Sequence, residues 1–328
     1  MAVRVAINGF GRIGRTVLRA ALFRGAWPGV EIVAVNDIAA PDMLAYLFEF
    51  DSVFGPFPGP VGLEDGTLTV AGRRLRLTRT PDLSTLDLSD IDVVMECTGR
   101  AETAEVAGRG LAAGAGRVLV SGPSAAADIT LVLGANEAAL TAAHRIVSNA
   151  SCTTNALAPL ARLLDEALGI EAGWMTTIHC YTGSQPSVDA PAATPARSRA
   201  AALSMVPTTT SASRLLDSVL PGLAGRIEGA AVRVPTASVS AVDLTVLPQR
   251  PAGAEAIAAL LREAGGVIGW TDRPLVSTDL RARSESIVMA LPETRVTARG
   301  LVRVFGWYDN EWGFSCRMLD MAQRMGSG

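Results

Sequence analysis

Apolar positions along this chain recur with two different periods. The first residues, Val3-Arg4-Val5-Ala6-Ile7-Asn8, form a short β-branched run, and similar runs return at 31–36, 92–97, 117–121, 130–133 and 145–148. Between them, Arg15 to Arg24 and Ala101 to Ala113 carry helical spacing with few breakers. Short apolar strands alternating with helices are the mark of βαβ units feeding a parallel sheet, so residues 1–151 are expected to form a doubly wound domain. After 151 the texture changes. A helix-like stretch from Cys152 to Leu168 leads into longer alternating runs, Trp174–Tyr181, Ile227–Pro235 and Val239–Leu247, which suit a sheet with one covered face. Gly183 to Arg199 is rich in Pro, Ala and Ser and has no periodicity; a long loop of this kind is usually functional. Trp312 to Met325 returns to helical spacing. The expected fold class is α/β, a doubly wound parallel-sheet domain followed by an α+β domain over 152–311 with a mixed or antiparallel sheet.

Composition narrows the functional classes. A chain of 328 residues exceeds one ordinary core, which favours two domains. With 49% hydrophobic residues, 19% charged residues and a net charge of −3, no basic surface for nucleic acid is implied. The strand-like start leaves no room for a secretory leader, and no stretch approaches the roughly 18 apolar residues of a membrane helix. A cytoplasmic protein without membrane or nucleic-acid partners is expected. Cys97, Cys152, Cys180 and Cys316 are scattered, with no C-x-x-C pair or histidine pair beside them, so neither metal nor disulfide is expected.

Chemistry begins at the first turn. Gly9-Phe10-Gly11-Arg12-Ile13-Gly14 follows the first strand, with the helix expected beyond it and Asp37 closing the second strand. The glycines permit a tight turn and close backbone approach, a helix N-terminus favours a pyrophosphate, and a carboxylate at Asp37 can bond adenine-ribose hydroxyls. That carboxylate would repel a 2′-phosphate, so NAD is favoured over NADP. Thr98-Gly99 and Ser121-Gly122 follow two more strands, where open α/β sheets bind ligands.

A second constellation lies at Ser148-Asn149-Ala150-Ser151-Cys152-Thr153-Thr154-Asn155, where a cysteine opens a helix. The positive end of a helix lowers a thiol pKa, and its free amides can hold an oxyanion. Of the two histidines, His179 ends the strand from Trp174 and is the candidate base, whereas His144 precedes the strand at 145–148 and reads as a surface or loop residue.

These residues resemble the signatures of the glyceraldehyde-3-phosphate dehydrogenase family. So do Phe50-Asp51-Ser52-Val53, Glu96-Cys97-Thr98-Gly99, Arg233-Val234-Pro235-Thr236 and Trp307-Tyr308-Asp309-Asn310-Glu311-Trp312-Gly313, which together span nearly the whole chain. The resemblance implies a Rossmann domain completed by a C-terminal helix at about 312–328, a catalytic domain at 152–311, and a homotetramer whose long loop lies near a neighbouring subunit's cofactor. It implies that Cys152 attacks an aldehyde, that His179 takes the proton, that hydride passes to NAD, and that inorganic phosphate releases 1,3-bisphosphoglycerate from a thioester. It further implies cofactor contacts from Arg79, Thr98, Gly99, Ser121 and Asn310. Thr182 and Arg233 match a pocket for the substrate phosphate, and Ser151, Thr153, Arg197, Thr210 and Ser211 one for the attacking phosphate.

The match departs from the family pattern beyond His179. Where the family usually has Tyr-Thr-Asn-Asp-Gln, this chain has Tyr181-Thr182-Gly183-Ser184-Gln185, and the loop from Pro191 to Arg199 has lost several charges. Ala190-Pro191 stands where NAD-specific members have leucine–proline. Two alternative functions stay open: the hydrolytic erythrose-4-phosphate dehydrogenase of the same family, and a slow NAD-binding paralogue with an interaction role.

Overall fold

The computed structural model describes residues 2–23 and 26–326. The end of the first expected helix at Arg24, and residues 327–328 of the expected terminal helix, lie outside the described residues. The chain forms two compact units. One runs to Leu131 and takes in Glu137–Ala150 and the chain from Ser315; the other comprises Val132–Asn136 and Ser151–Phe314.

The first unit is built on one sheet. Its elements in chain order are β1 (Val3–Asn8), α1 (Arg12–Phe23), β2 (Val30–Asn36), α2 (Pro41–Glu49), β3 (Val61–Glu64), β4 (Thr67–Val70), β5 (Arg73–Thr78), β6 (Val93–Glu96), α3 (Ala104–Ala112), β7 (Arg117–Val120), β8 (Ile129–Thr130) and β9 (Ile146–Ser148). The strand order is β3-β4-β5-β2-β1-β6-β7-β9-β8, parallel from β5 onward and antiparallel in the β3-β4-β5 edge. β1 lies between β2 and β6, so successive connections leave it in opposite directions. That is the switch point at which open α/β sheets bind ligands, beyond the carboxyl ends of the strands. Apolar residues on both faces hold the sheet: Val5, Ile7, Val93 and Met95 are fully buried on one face and Ala6 and Val94 are buried on the other, as two-sided burial of central parallel strands requires.

The second unit contains α4 (Cys152–Leu168), β10 (Ile170–Cys180), β11 (Val206–Thr208), α5 (Ala212–Val219), β12 (Ile227–Val234), β13 (Ser240–Pro248), α6 (Ala254–Glu263), β14 (Ile268–Thr271), β15 (Ile287–Ala290), β16 (Arg295–Val296) and β17 (Val302–Tyr308). Its sheet runs β11-β12-β10-β13-β17-β15-β14, with β16 beside β17. β10–β12 and β14–β15 are parallel and the remaining pairs antiparallel, so the sheet is mixed. On β10, Met175, Thr177 and His179 are buried while Trp174 and Ile178 are exposed, the alternation of a half-covered strand. The last helix, α7 (Trp312–Gly326), begins at the end of this unit and continues into the first. There it is tied through Trp27 Nε1 to Asp320 at 2.7 Å and Arg117 to the Met325 carbonyl at 2.5 Å.

Several expectations shift. The first helix starts at Arg12, inside the glycine motif, because Gly14 is needed in its first turn: a Cβ there would lie 2.2 Å from the Gly9 carbonyl oxygen. The strand expected at 130–133 is the two-residue β8, since Val132 turns to receive the Asn136 side chain. Helix α2 and the β3-β4-β5 edge lay outside the sequence expectation; α2 has Pro41 at its first position and no side-chain cap, and the three edge strands are short, with only Leu68, Val70 and Leu75 fully buried and exposed arginines on β5.

Candidate active site

The cofactor turn is a product of three close approaches. Gly9 takes φ +91°, and a Cβ on it would press within 2.7 Å of the Thr98 amide nitrogen, so only glycine lets the turn after β1 lie this close to the backbone after β6. Gly14 lets α1 pack onto that turn. Around Gly11, by contrast, no atom lies within 4 Å of where a Cβ would stand, which leaves the backbone open to a ligand. Asp37 closes the loop, accepting from the Phe10 amide at 2.7 Å and the Ala39 amide at 2.9 Å. A cleft of about 300 Å³ is lined by Gly9, Gly11, Asp37, Thr98 and Arg100 among others, all in the first unit. A narrow glycine turn, a carboxylate beside it and an accessible helix start are what a dinucleotide requires.

The other expected cofactor residues divide. Phe10 contributes backbone only, since its ring is buried and stacked on Phe48. Arg12 pairs with Asp51 at 2.5 Å, and Ile13 is half-buried in the first turn of α1. Gly99, with φ +71°, follows Thr98 in the loop after β6; the Ser121 amide donates to the Glu96 carbonyl at 2.9 Å. Arg79 is exposed and its Nε donates to the Ile38 carbonyl at 2.8 Å. Asn310 belongs to the second unit.

Beneath the cleft runs a buried polar chain that sequence reasoning missed. Asn36 Nδ2 donates to Asn8 Oδ1 at 2.8 Å, Asn8 Nδ2 donates to Glu96 at 2.5 Å, and Glu96 accepts the Thr98 amide at 2.9 Å. It knits the ends of β2, β1 and β6 together. Asn36 and Asn8 end apolar runs and Glu96 entered only as part of a motif, so none of the three carried a role in the sequence reading.

In the second unit, the nucleophile motif is a capped helix start. Ser151 is the N-cap of α4, its hydroxyl accepting from the Thr154 amide at 3.1 Å, and Cys152 is the first helical residue. Ala150 before it takes φ 55°, a left-handed conformation uncommon for alanine and typical of turns that present a functional side chain. The parallel register of β10 and β12 sets His179 beside Arg233. Cys152 Sγ lies 3.6 Å from His179 Nε2, and His179 Nδ1 lies 2.7 Å from the Cys180 carbonyl and 2.5 Å from Arg233 Nη1. Two tautomers compete. A proton on Nδ1 is donated to the Cys180 carbonyl and leaves Nε2 free to accept from the thiol; a bare Nδ1 accepts from Arg233 and puts the proton on Nε2.

Burial, then the charge of Arg233, push the His179 imidazole down to about 4. Burial pushes the Cys152 thiol up, opposed by Arg233, the Thr153 hydroxyl and the amides of Thr153 and Cys152. Thiol and neutral imidazole are therefore the resting forms, and proton transfer between them is the event that makes a nucleophile. Tyr308, also missed, braces the pair: its hydroxyl bridges Thr153 Oγ1 at 2.9 Å and Thr177 Oγ1 at 2.8 Å, and its ring meets His179 edge-on at 6.0 Å. It is the last of three aromatics in its strand, after Phe305 and Trp307, and nothing in the sequence singled it out from them.

The expected anion-binding residues are less convergent. Arg233 is in the cluster. The hydroxyls of Thr182 and Ser184 lie 2.9 Å apart just after β10, Arg197 Nε donates to Thr208 at 2.9 Å, and Thr210 accepts the Ala212 amide at 3.1 Å beside Ser211 at the head of α5. No hydrogen bond among the described residues joins Arg197, Thr210 or Ser211 to Cys152 or His179. His144 is half-buried and bonds to Thr141 in its own turn. No group of three or more potential metal ligands occurs among the described residues, and no helix there is long and apolar enough to cross a membrane.

A glycine turn at the head of a doubly wound sheet, closed by an acidic residue after the second strand, is the architecture of a dinucleotide-dependent dehydrogenase. Family models define it further: residues 3–104 match the glyceraldehyde 3-phosphate dehydrogenase NAD-binding domain, and residues 151–310 match the glyceraldehyde 3-phosphate dehydrogenase C-terminal domain. The chain is 47% identical to a glyceraldehyde-3-phosphate dehydrogenase of Xanthobacter flavus, with 99% of each chain covered. It is 46% identical to that of Cereibacter sphaeroides, again over 99% of each, and 42% identical to glyceraldehyde-3-phosphate dehydrogenase 1 of Bacillus subtilis, over 98% of each. The chain belongs to the glyceraldehyde-3-phosphate dehydrogenase family and is an NAD-dependent dehydrogenase.

Proposed function

We propose that the chain oxidises D-glyceraldehyde 3-phosphate with NAD and inorganic phosphate to 1,3-bisphosphoglycerate through a thioester on Cys152, as a cytoplasmic homotetramer. The observation that carries this reading is the 3.6 Å approach of Cys152 Sγ to His179 Nε2 at the start of a capped helix. The thiol gives its proton to Nε2, and the sulfur adds to the aldehyde carbon, forming a C–S bond and an oxyanion that the amides at the head of α4 can hold and a proton converts to the thiohemiacetal hydroxyl. With the imidazole neutral again, Nε2 takes the hydroxyl proton as hydride leaves carbon, and the C=O bond of the thioester forms. NAD, when bound, supplies the two-electron acceptor for that hydride. A phosphate oxygen then attacks the thioester carbon, the C–S bond breaks, and the electron pair returns to Cys152 Sγ. Arg233 suits the phosphate of the substrate because a guanidinium fork can bond two oxygens at once.

Asp37, the backbone of Gly9 to Gly14, and Thr98 are the residues assigned to hold the adenosine and pyrophosphate, and Asn310 the residue assigned to the nicotinamide amide. The names of the curated relatives support the triose substrate. Support for self-association is the exposed apolar face of β10, where Trp174 is 51% and Ile178 37% exposed.

The test is NADH formation from glyceraldehyde 3-phosphate and from erythrose 4-phosphate, with and without inorganic phosphate, in wild-type protein and Cys152→Ser. Phosphate-dependent turnover of the triose, abolished in the variant, is expected. Preference for the tetrose without phosphate dependence would assign the hydrolytic reaction instead, and silence on both the non-catalytic role.

A further inference from the structure

Cys180 stands one residue beyond His179, fully buried; its carbonyl meets His179 Nδ1, but its side chain takes no part in the proposed chemistry. Its surroundings are polar in one direction. Sγ donates to Asn310 Oδ1 at 3.1 Å. The Cys180 amide donates to Ser240 Oγ at 3.1 Å, which uses a lone pair of that hydroxyl and leaves its proton directed at the same Asn310 oxygen, 3.5 Å away. Two donors, one on β10 and one on β13, thus converge on a single amide oxygen. The backbone beneath is held independently: the Asp309 carboxylate accepts from the amides of Ala282, Glu311 and Trp312 at 2.8–3.0 Å.

What remains undetermined by the backbone is the flip of the Asn310 amide, a choice between oxygen and nitrogen at nearly equal shape. Cys180 and Ser240 decide it. With Oδ1 toward them both donors are satisfied; with the amide reversed, two N–H donors face an S–H whose sulfur accepts only weakly. Oδ1 inward leaves Nδ2, which has no protein hydrogen bond among the described residues, as the outward group.

We propose that Cys180 is a positioning residue: with Ser240, it locks the amide plane of Asn310 so that Nδ2 is presented as the donor to the nicotinamide carboxamide and one face of the ring is offered to the substrate. This rests on the assignment of Asn310 to the nicotinamide made above. The thiol keeps its proton throughout the working range, since burial pushes it up to about 12.

The experiment compares Cys180→Ala, Cys180→Ser and Asn310→Ala in the full-length enzyme. It measures the KM for NAD, kcat, and the stereochemistry of transfer from a 1-deuterated aldehyde, read by the face of NADH that carries the label. Losing one neutral hydrogen bond is expected to raise the KM for NAD about fivefold in Cys180→Ala, with label detectable on both faces. Cys180→Ser, which keeps a donor, is expected to restore single-face transfer and a KM within about twofold of wild type. A merely structural cysteine would lower stability without touching stereochemistry. If Asn310→Ala shows both defects and Cys180→Ala shows neither, the positioning role is overturned while the Asn310 assignment stands. If Asn310→Ala is itself silent, the assignment beneath the proposal is overturned.

Discussion

The reactivity of Cys152 is settled by three neighbours with opposing effects. Burial and Arg233 keep His179 neutral, burial raises the thiol, and Arg233 with the amides at the start of α4 lower it. Replacing Arg233 with Met removes the main charge favouring a thiolate, so the rate of Cys152 alkylation by iodoacetamide is expected to need higher pH than in wild type; an unchanged profile would contradict this assignment. His179→Gln should lower kcat by about 10²–10⁴-fold, the usual span for a lost general base. His179 also links pH to stability. Its pKa falls from an unfolded value near 6.5 to about 4, so between those limits the unfolded chain binds the proton that the fold refuses. Stability is therefore complete above pH 6.5 and lost as pH falls toward 4, by about 3 kcal/mol from this group. Urea unfolding across that window should show a shallower loss in His179→Gln than in wild type.

Among elements, the turn from β1 into α1 is the most exacting. Gly14→Ala would drive a Cβ against the Gly9 carbonyl; such overpacking typically costs ~1–3 kcal/mol, and NAD affinity should fall with the melting temperature, by titration and thermal scan. The fold was largely legible here because glycine spacing and strand–helix alternation are local signals. Helix α4 was legible from Cys152 to Leu168 for the same reason, with Ser151 before it and Gly169 after it at φ 67°. The partnership of Cys152 with His179 could be anticipated from residue type alone. What could not be read is anything set by pairing across strands: His179 beside Arg233, Tyr308 against His179 and Thr177, and the Asn36–Asn8–Glu96 chain, whose members lie 28 and 88 residues apart. The β3-β4-β5 edge escaped because β3 and β5 are largely exposed and carry no continuous apolar run.

For the whole molecule, the apolar residues left on the surface of the second unit matter most. Trp174, Ile178, Leu203, Met205 and Trp270 are exposed, and Trp174 and Ile178 share one face of β10. Sedimentation is expected to give a species four times the 34.1 kDa chain, and Trp174→Glu with Ile178→Glu a smaller one; a wild-type monomer would remove this element of the account. The central claim is that oxidation is completed on Cys152 before phosphate enters. Its most direct test is rapid mixing of enzyme and NAD with glyceraldehyde 3-phosphate in the absence of phosphate, followed by mass analysis of the Cys152 peptide. A burst of one NADH per chain, an acyl adduct on Cys152 and resumption of turnover on adding phosphate are expected. Sustained turnover without phosphate, or an adduct elsewhere, would contradict it.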